Sequence, residues 1–319
     1  MIEDLDGAED VLYPLRELQS KRRISKTVVH KNTKGETRTV HLTVEGPVSV
    51  SGCTTKESLY EDNANRSFLI YINESKEQDE KVMQYQRKLS AGKIDTTEQQ
   101  QIIKQFQNMQ RVLHAVQVRN PYAELLKIPD EVFKPRRTNA HYLAFIELVT
   151  FYHQYQRERK YDQETGEEYI ETTSEDIAEA NKLLKEILLR KSDQLTGACR
   201  SYFEKLKEWL QAENRTTFSN REVRQALRIN ASNQKRYMLE LMGNYHIRVA
   251  NGKRARGYEY EIVSYEEYNK LKQGIETVLD EILDNLKRLP AGQAGFNGSP
   301  VVQKQNEPLK KKKVSKLAE

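Results

Sequence analysis

The stretch SYFEKLKEWLQAENRTTFSNREVRQALRINASNQKRYMLELMGNYHIRVANGKRARGYEYEIV, residues 201–263, carries the most legible pattern in the chain. Phe203, Leu206, Trp209 and Leu210 recur at helical steps, so it opens on an amphipathic helix. Ser219 stands where an N-cap would, ahead of a second helix with Val223 and Leu227 inward. After Ile229, Asn230 and Ala231, Ser232 is expected to cap a third helix that turns Tyr237, Leu241 and Met242 inward. Two short strands follow, His246 to Ala250 and Tyr258 to Val263, joined by the loop from Asn251 to Gly257.

Helix, helix, turn, helix and hairpin is the order of a winged helix-turn-helix, which assigns a DNA-binding module to residues 200–264. Its third helix would present Ser232, Asn233, Gln234, Lys235 and Arg236 to a major groove. Asn and Gln side chains read adenine edges, and cations grip phosphates. The hairpin loop adds Lys253, Arg254 and Arg256 with no acid between Asn251 and Gly257, which suits phosphate or minor-groove contact. The competing account is a protein-contact module whose hairpin tip is simply solvated.

Downstream, residues 265–289 predict an amphipathic helix with Tyr268, Leu271, Ile275, Val278, Ile282 and Leu286 on one stripe. That stripe needs a partner surface, on the module or on another subunit. Residues 290–319 are rich in Gly, Pro and Gln, end in the run Lys310 to Lys313, and read as a disordered basic tail. Upstream, a helix capped by Ser174 runs to about Arg190, behind a loop with Asp162, Thr165 and Gly166. Residues 75–115 and 140–155 are also helical in pattern, so 81–190 forms a helical lid or linker. Nearer the start, a helix over Val11 to Leu18 precedes a hairpin whose strands hold Val28 and Thr39 to Val44, turning at Asn32 to Gly35. Val48 to Ser51 reads as a short strand and Phe68 to Ile72 as a buried one, and Ile2 to Asp4 as the end of a strand running into acids.

Composition sets outer bounds. The 319 residues are 31% charged with a net charge of +5, so an anionic partner is hinted at but not named. Cys53 and Cys199 are the only cysteines, which excludes a disulfide framework and fits a reducing cytoplasm. No run is long enough to cross a bilayer, so no membrane partner is expected. The six histidines form no i,i+4 pair or HExxH arrangement, and there is no GxSxG nucleophile motif.

The segments IEDLDGAEDVLYPLRELQSKRRISKT, VEGPVSVSGCTT, DNANRSFLIYINESKEQDEKVMQYQR and VRNPYAELLKIPDEVFKPRR resemble the rear half of the AAA+-like ATPase in primase–helicase proteins of bacterial mobile elements, notably Bacteroides-type ones. The same order is similar to minichromosome-maintenance helicases, and the later SEDIAEANKLL resembles their last lid helix. The resemblance implies a helix-rich α+β chain: an incomplete AAA+-like core at 1–80, a helical lid, the winged helix, the C-terminal helix and the tail. It implies ATP and Mg as cofactors of the complete module, with Glu3 and Asp4 matching the Walker B pair that holds Mg, in the reverse of the usual order. Thr54 and Thr55 match sensor 1, Arg66 the arginine finger offered to a neighbour's nucleotide, and either Arg136 or Arg137 sensor 2. Lys31 and Lys34 match the tip of the pre-sensor hairpin, which points at DNA in such helicases. Partners on this basis are DNA, a complete ATPase counterpart and a homo-oligomeric ring.

A phosphate-binding loop GxxxxGK[ST] is missing from the sequence, whereas the family carries it ahead of the acidic strand. The expectation is therefore a DNA-binding component of a replication primase–helicase-like ATPase, truncated before that loop and not hydrolysing ATP alone. The alternative is an ATP-independent winged-helix initiator or regulator.

Overall fold

The computed structural model describes residues 2–3, 5–31, 37–54, 66–70, 72–73, 75–253 and 257–288. Asp4, Lys34, Thr55, Arg254, Arg256 and the tail at 290–319 lie outside the described residues, as do the side chains of Lys31 and Lys253. The class is α+β and mostly helical, with three small sheets of strand order β1-β2, β3-β5-β4 and β6-β8-β7. The chain divides into two units, one built from residues 1–94, 127–142 and 181–281, the other from 95–126, 143–180 and the segment from 282 on.

In the first unit, helix α1 (Glu9–Lys21) ends where Arg22 turns left-handed at φ 54° and its N–H caps the Leu18 carbonyl. A ribbon of β1 (Arg23–Lys31) and β2 (Thr37–Glu45) follows, nine residues a side, with Ile24 opposite Val44 and Val28 opposite Val40. β-Branched residues suit such a pleated surface, and the other face is tied by Ser25–Thr43 (3.0 Å) and Thr27–His41 (2.9 Å) side-chain bonds. Residues 2–5 then run parallel to 51–53, through Ile2 N to Ser51 O at 2.8 Å, Cys53 N to Ile2 O at 3.1 Å and Leu5 N to Cys53 O at 2.9 Å. The strand expected over Val48 to Ser51 is not formed; pairing is confined to the bridge at Gly52. Nor do the described residues of Phe68 to Ile72 form a buried strand, since Ile70 and Ile72 are 84% and 88% exposed. An apolar run becomes a strand only when its backbone pairs with a neighbour, and none of the described strands pairs with this one. Helix α2 (Lys76–Ser90), capped by Ser75, buries none of its side chains.

The second unit contains α3 (Thr96–Val112), which also has no buried residue, and β3 (Gln117–Arg119). It takes residues 143–152 of α4 (Pro135–Tyr152), the hairpin β4 (Lys160–Tyr161) and β5 (Glu168–Glu171), and the start of α5 (Ser174–Ser192). Asp162 shapes the hairpin turn, its Oδ1 accepting from the N–H groups of Glu164 and Thr165 at 3.0 Å, and Gly166 supplies the φ of 70°. Thr173, not Ser174, caps α5: its Oγ1 accepts from Asp176 N, and the Asp176 carboxylate accepts from Thr173 N at 3.0 Å. Asp176 is fully buried and also accepts from Arg157 and His153. Burial works to raise its pKa, but the bonds from Arg157, His153 and Thr173 outweigh it and hold the carboxyl at about 2.

Returning to the first unit, residues 181–192 of α5 accompany α9 (Glu267–Lys287), whose Ile275 and Leu279 are buried. Lys185 pairs with Glu276, and Asn181 Nδ2 donates to the Leu279 carbonyl. The stripe predicted after residue 265 therefore meets α5 of its own chain.

Candidate nucleic-acid interface

Residues 197–262 form a helix, a strand, two helices and a hairpin: α6 (Gly197–Ala212), β6 (Thr217–Ser219), α7 (Asn220–Leu227), α8 (Ala231–Gly243), β7 (Ile247–Lys253) and β8 (Gly257–Ile262). Their common core is Cys199, Phe203, Leu206, Leu210, Phe218, Val223, Tyr237, Met238, Leu241 and Ile247 with their neighbours. Ser219 caps α7 through a full capping box with Glu222, and Arg228, left-handed at φ 51°, ends it. Asn230, not Ser232, caps α8, its Oδ1 accepting from Asn233 N at 2.8 Å. Both residue types have the right chemistry, and the burial register decides between them.

That register corrects one site residue outright. The inward positions of α8 are Gln234, Tyr237, Met238 and Leu241, a spacing of three, one and three that marks one helix face. Gln234 is only 3% exposed, and its Nε2 donates to the Asn220 carbonyl at 2.8 Å. It fastens α8 to the start of α7 and does not face solvent. Met242, expected inward, is 39% exposed instead. The outward face carries Ser232, Lys235, Arg236 and Leu239, with Asn233 half-buried and Leu239 62% exposed.

Charge on this surface is strongly one-sided. Ten lysines and arginines stand against two glutamates between Asn214 and Gly257. Both glutamates are engaged by neighbouring donors. Glu222 accepts from Arg215 at 2.7 Å and from Ser219 N at 2.8 Å, and these bonds, Arg215 foremost, lower its pKa to about 2. Glu240 accepts from Thr196 N at 2.6 Å and from its hydroxyl at 3.1 Å. Arg221, Arg224, Arg228 and Lys235 are exposed and make no ion pair with any described residue. The three arginines were overlooked in the sequence, although their spacing of three and four already put them on one stripe of α7 and its C-cap.

The hairpin closes through Gly252, whose φ is 109° and whose Cβ, were one present, would lie 2.3 Å from the Gly257 carbonyl oxygen. Only glycine fits there. The module is held to its neighbours by a buried ionic cluster. Arg200 donates to both oxygens of Asp193 at 2.7 and 2.8 Å and to Glu267 at 2.5 Å, while Lys207 donates to Glu267 at 2.8 Å and Glu204 at 3.1 Å. His246 lies 3.6 Å from Glu267, and burial lowers its pKa below the ordinary histidine value.

Other residues singled out in the sequence lie elsewhere in the same unit. Glu3 is exposed and Thr54 half-buried, on the two segments that the Ile2–Gly52 bridge brings side by side. Arg66 Nη1 donates to Ser20 Oγ at 2.5 Å, at the end of α1. Arg136 and Arg137 do not precede a helix but form the first turn of α4, one exposed and one half-buried. Among the described residues there is no cluster of three His, Cys, Asp or Glu able to hold a metal ion, and no helix long and apolar enough to cross a membrane. Comparison with protein-family models, curated proteins and solved structures gives no match.

Proposed function

We propose that residues 197–263 form a winged helix that binds duplex DNA with α8 in the major groove. The observation that carries the proposal is the separation of charge: Glu222 and Glu240 are engaged by Arg215, Ser219 and Thr196, while Arg221, Arg224, Arg228 and Lys235 are exposed with no ion pair among the described residues. Ser232, Lys235 and Arg236 reach base edges, and Leu239 suits a thymine methyl. Arg221, Arg224 and Arg228 grip phosphates beside them, and Lys253, Arg254 and Arg256 do so from the wing. Gln234 has no part in base reading.

The wider assignment is a component of a replication ATPase of primase–helicase type, with ATP and Mg serving the complete module. Two features support it: the parallel pairing that sets Glu3 beside the segment leading to Thr54, and the long ribbon inserted between α1 and that segment. Both follow the order of the resembled ATPases. An ATP-independent initiator or regulator would use the same DNA-binding surface.

The test is fluorescence anisotropy of a labelled duplex across a salt series, for the wild type and for Arg221→Ala/Arg224→Ala/Arg228→Ala. Loss of three phosphate contacts lowers the slope of log K against log salt by roughly 3, at about 0.9 per contact. An unchanged affinity and slope would remove this face from the account.

A further inference from the structure

We infer that Arg137, His141 and Lys191 form a binding site for a phosphate oxyanion, independent of the α8 surface. Arg137 and His141 stand one turn apart on the same face of α4. Lys191 lies in the last turn of α5, and its carbonyl accepts from Phe133 N at 3.0 Å, which fixes that turn beside the start of α4. The Phe68 ring meets both groups, edge-on to His141 at 5.5 Å between centroids and 5.9 Å from Lys191 Nζ. His141 Nδ1 is shut off from solvent with no hydrogen-bond partner among the described residues.

What sets this cluster apart is the missing counter-charge. The fully buried cations described in the same unit are matched: Arg200 by Asp193 and Glu267, Lys207 by Glu267. No described carboxylate pairs with Arg137, His141 or Lys191. Burial, then Lys191 and Arg137, depress the His141 pKa, and burial, then Arg137, depress that of Lys191. Each group thus sits in the field of like charges, with no ion-pair partner among the described residues. A dianionic phosphate supplies what is lacking: two oxygens for the guanidinium fork, one for the ammonium, and a charge that favours imidazolium. Free phosphate and the terminal phosphate of a nucleotide present this dianion; a nucleic-acid backbone offers a monoanionic diester with two free oxygens and should bind the site more weakly.

The experiment uses the full chain with ring-labelled histidine, six residues in all, the His141 signal being assigned with His141→Gln. Inorganic phosphate is titrated against chloride at equal ionic strength. The expected result is a saturable rise of the His141 pKa, with Lys191→Gln and Arg137→Gln each weakening phosphate affinity by about tenfold, one charge-assisted bond apiece. Emission of Trp209 controls for folding, and the half-exposed Arg137 provides a second variant should Lys191→Gln not fold. Parallel titrations with ATP and with a short duplex identify the source, the one acting at lowest concentration being the physiological class. Absence of any response beyond the chloride control, or a response that survives both variants, overturns the site. Duplex anisotropy reads the α8 surface separately, so either proposal can fail alone.

Discussion

Arg200→Met tests whether the buried ionic cluster holds the module of residues 197–262 in place. The Arg200 and Asp193 side chains are 4% and 2% exposed, and the pair is joined by two bonds of 2.7 and 2.8 Å. Methionine keeps much of the volume but leaves Asp193 with one remaining partner, the Leu195 N–H at 3.1 Å. Removing one member of a buried pair costs about 3–5 kcal/mol, because the other charge stays behind without compensation. Glu267 retains Lys207, so the lower end of that range, about 3 kcal/mol, is expected. The chain's single tryptophan, Trp209, packs against the module's core, so its fluorescence during urea unfolding reports this part of the chain. Adding Asp193→Asn should restore most of the loss, since the double variant buries no orphan charge. A loss below about 1 kcal/mol, or a double variant no better than the single, refutes the assigned role of the cluster.

His246→Gln should flatten part of the pH dependence. The folded-state pKa is depressed, so the neutral ring's contribution is full above the unfolded value and is lost as pH falls below it toward the folded one; urea midpoints from pH 7.5 to 5.5 check this. Gly252→Ala places a Cβ against the Gly257 carbonyl at φ 109°, and should weaken duplex binding by distorting the hairpin while Trp209 emission stays native. Gln234→Ala should cost about 1–3 kcal/mol in urea unfolding, from the buried Asn220 carbonyl it abandons, whereas Asn233→Ala should leave stability nearly intact and lower DNA affinity. The reverse pattern would return Gln234 to the DNA surface.

How far the sequence could be read depended on whether a signal was local. Ser219 and Glu222 form a cap box within four residues, and Asp162 and Gly166 form a turn within five, so both were legible. Asn230 and Ser232 offered the same capping chemistry, and the choice rests on Gln234 pointing inward, which its polarity concealed. Arg200 and Lys207 look like solvent-facing positions on α6. They are buried because Asp193 arrives from the loop after α5 and Glu267 from α9, 7 and 60 or more residues away. The hairpin of β4 and β5 escaped notice because its strands are two and four residues long and mostly charged. The run from Phe68 failed in the opposite sense: apolar composition promised a strand, but a strand requires a neighbour.

Net charge over the whole chain gives little warning of what the module displays. At +5 the chain is only mildly basic, while Asn214 to Gly257, with ten cations against two acids, exceeds that excess and the rest of the chain is net acidic. A carboxylate contributes to the outward field according to where its partner lies. Glu222 and Glu240 are drawn onto a cap and a neighbouring helix terminus, where they stabilise local structure and sit beside their own donors. Asp193 and Glu267 are neutralised in turn by Arg200 and Lys207, so these buried cations do not add to the surface. The ionic interior and the cationic exterior are then parts of one arrangement, since releasing any of these acids would both loosen the fold and place a negative charge near the exposed cations of the face proposed to bind DNA. Stability and DNA affinity should accordingly fall together in variants of Glu222 or Glu240, and separately in variants of Arg221 or Arg224.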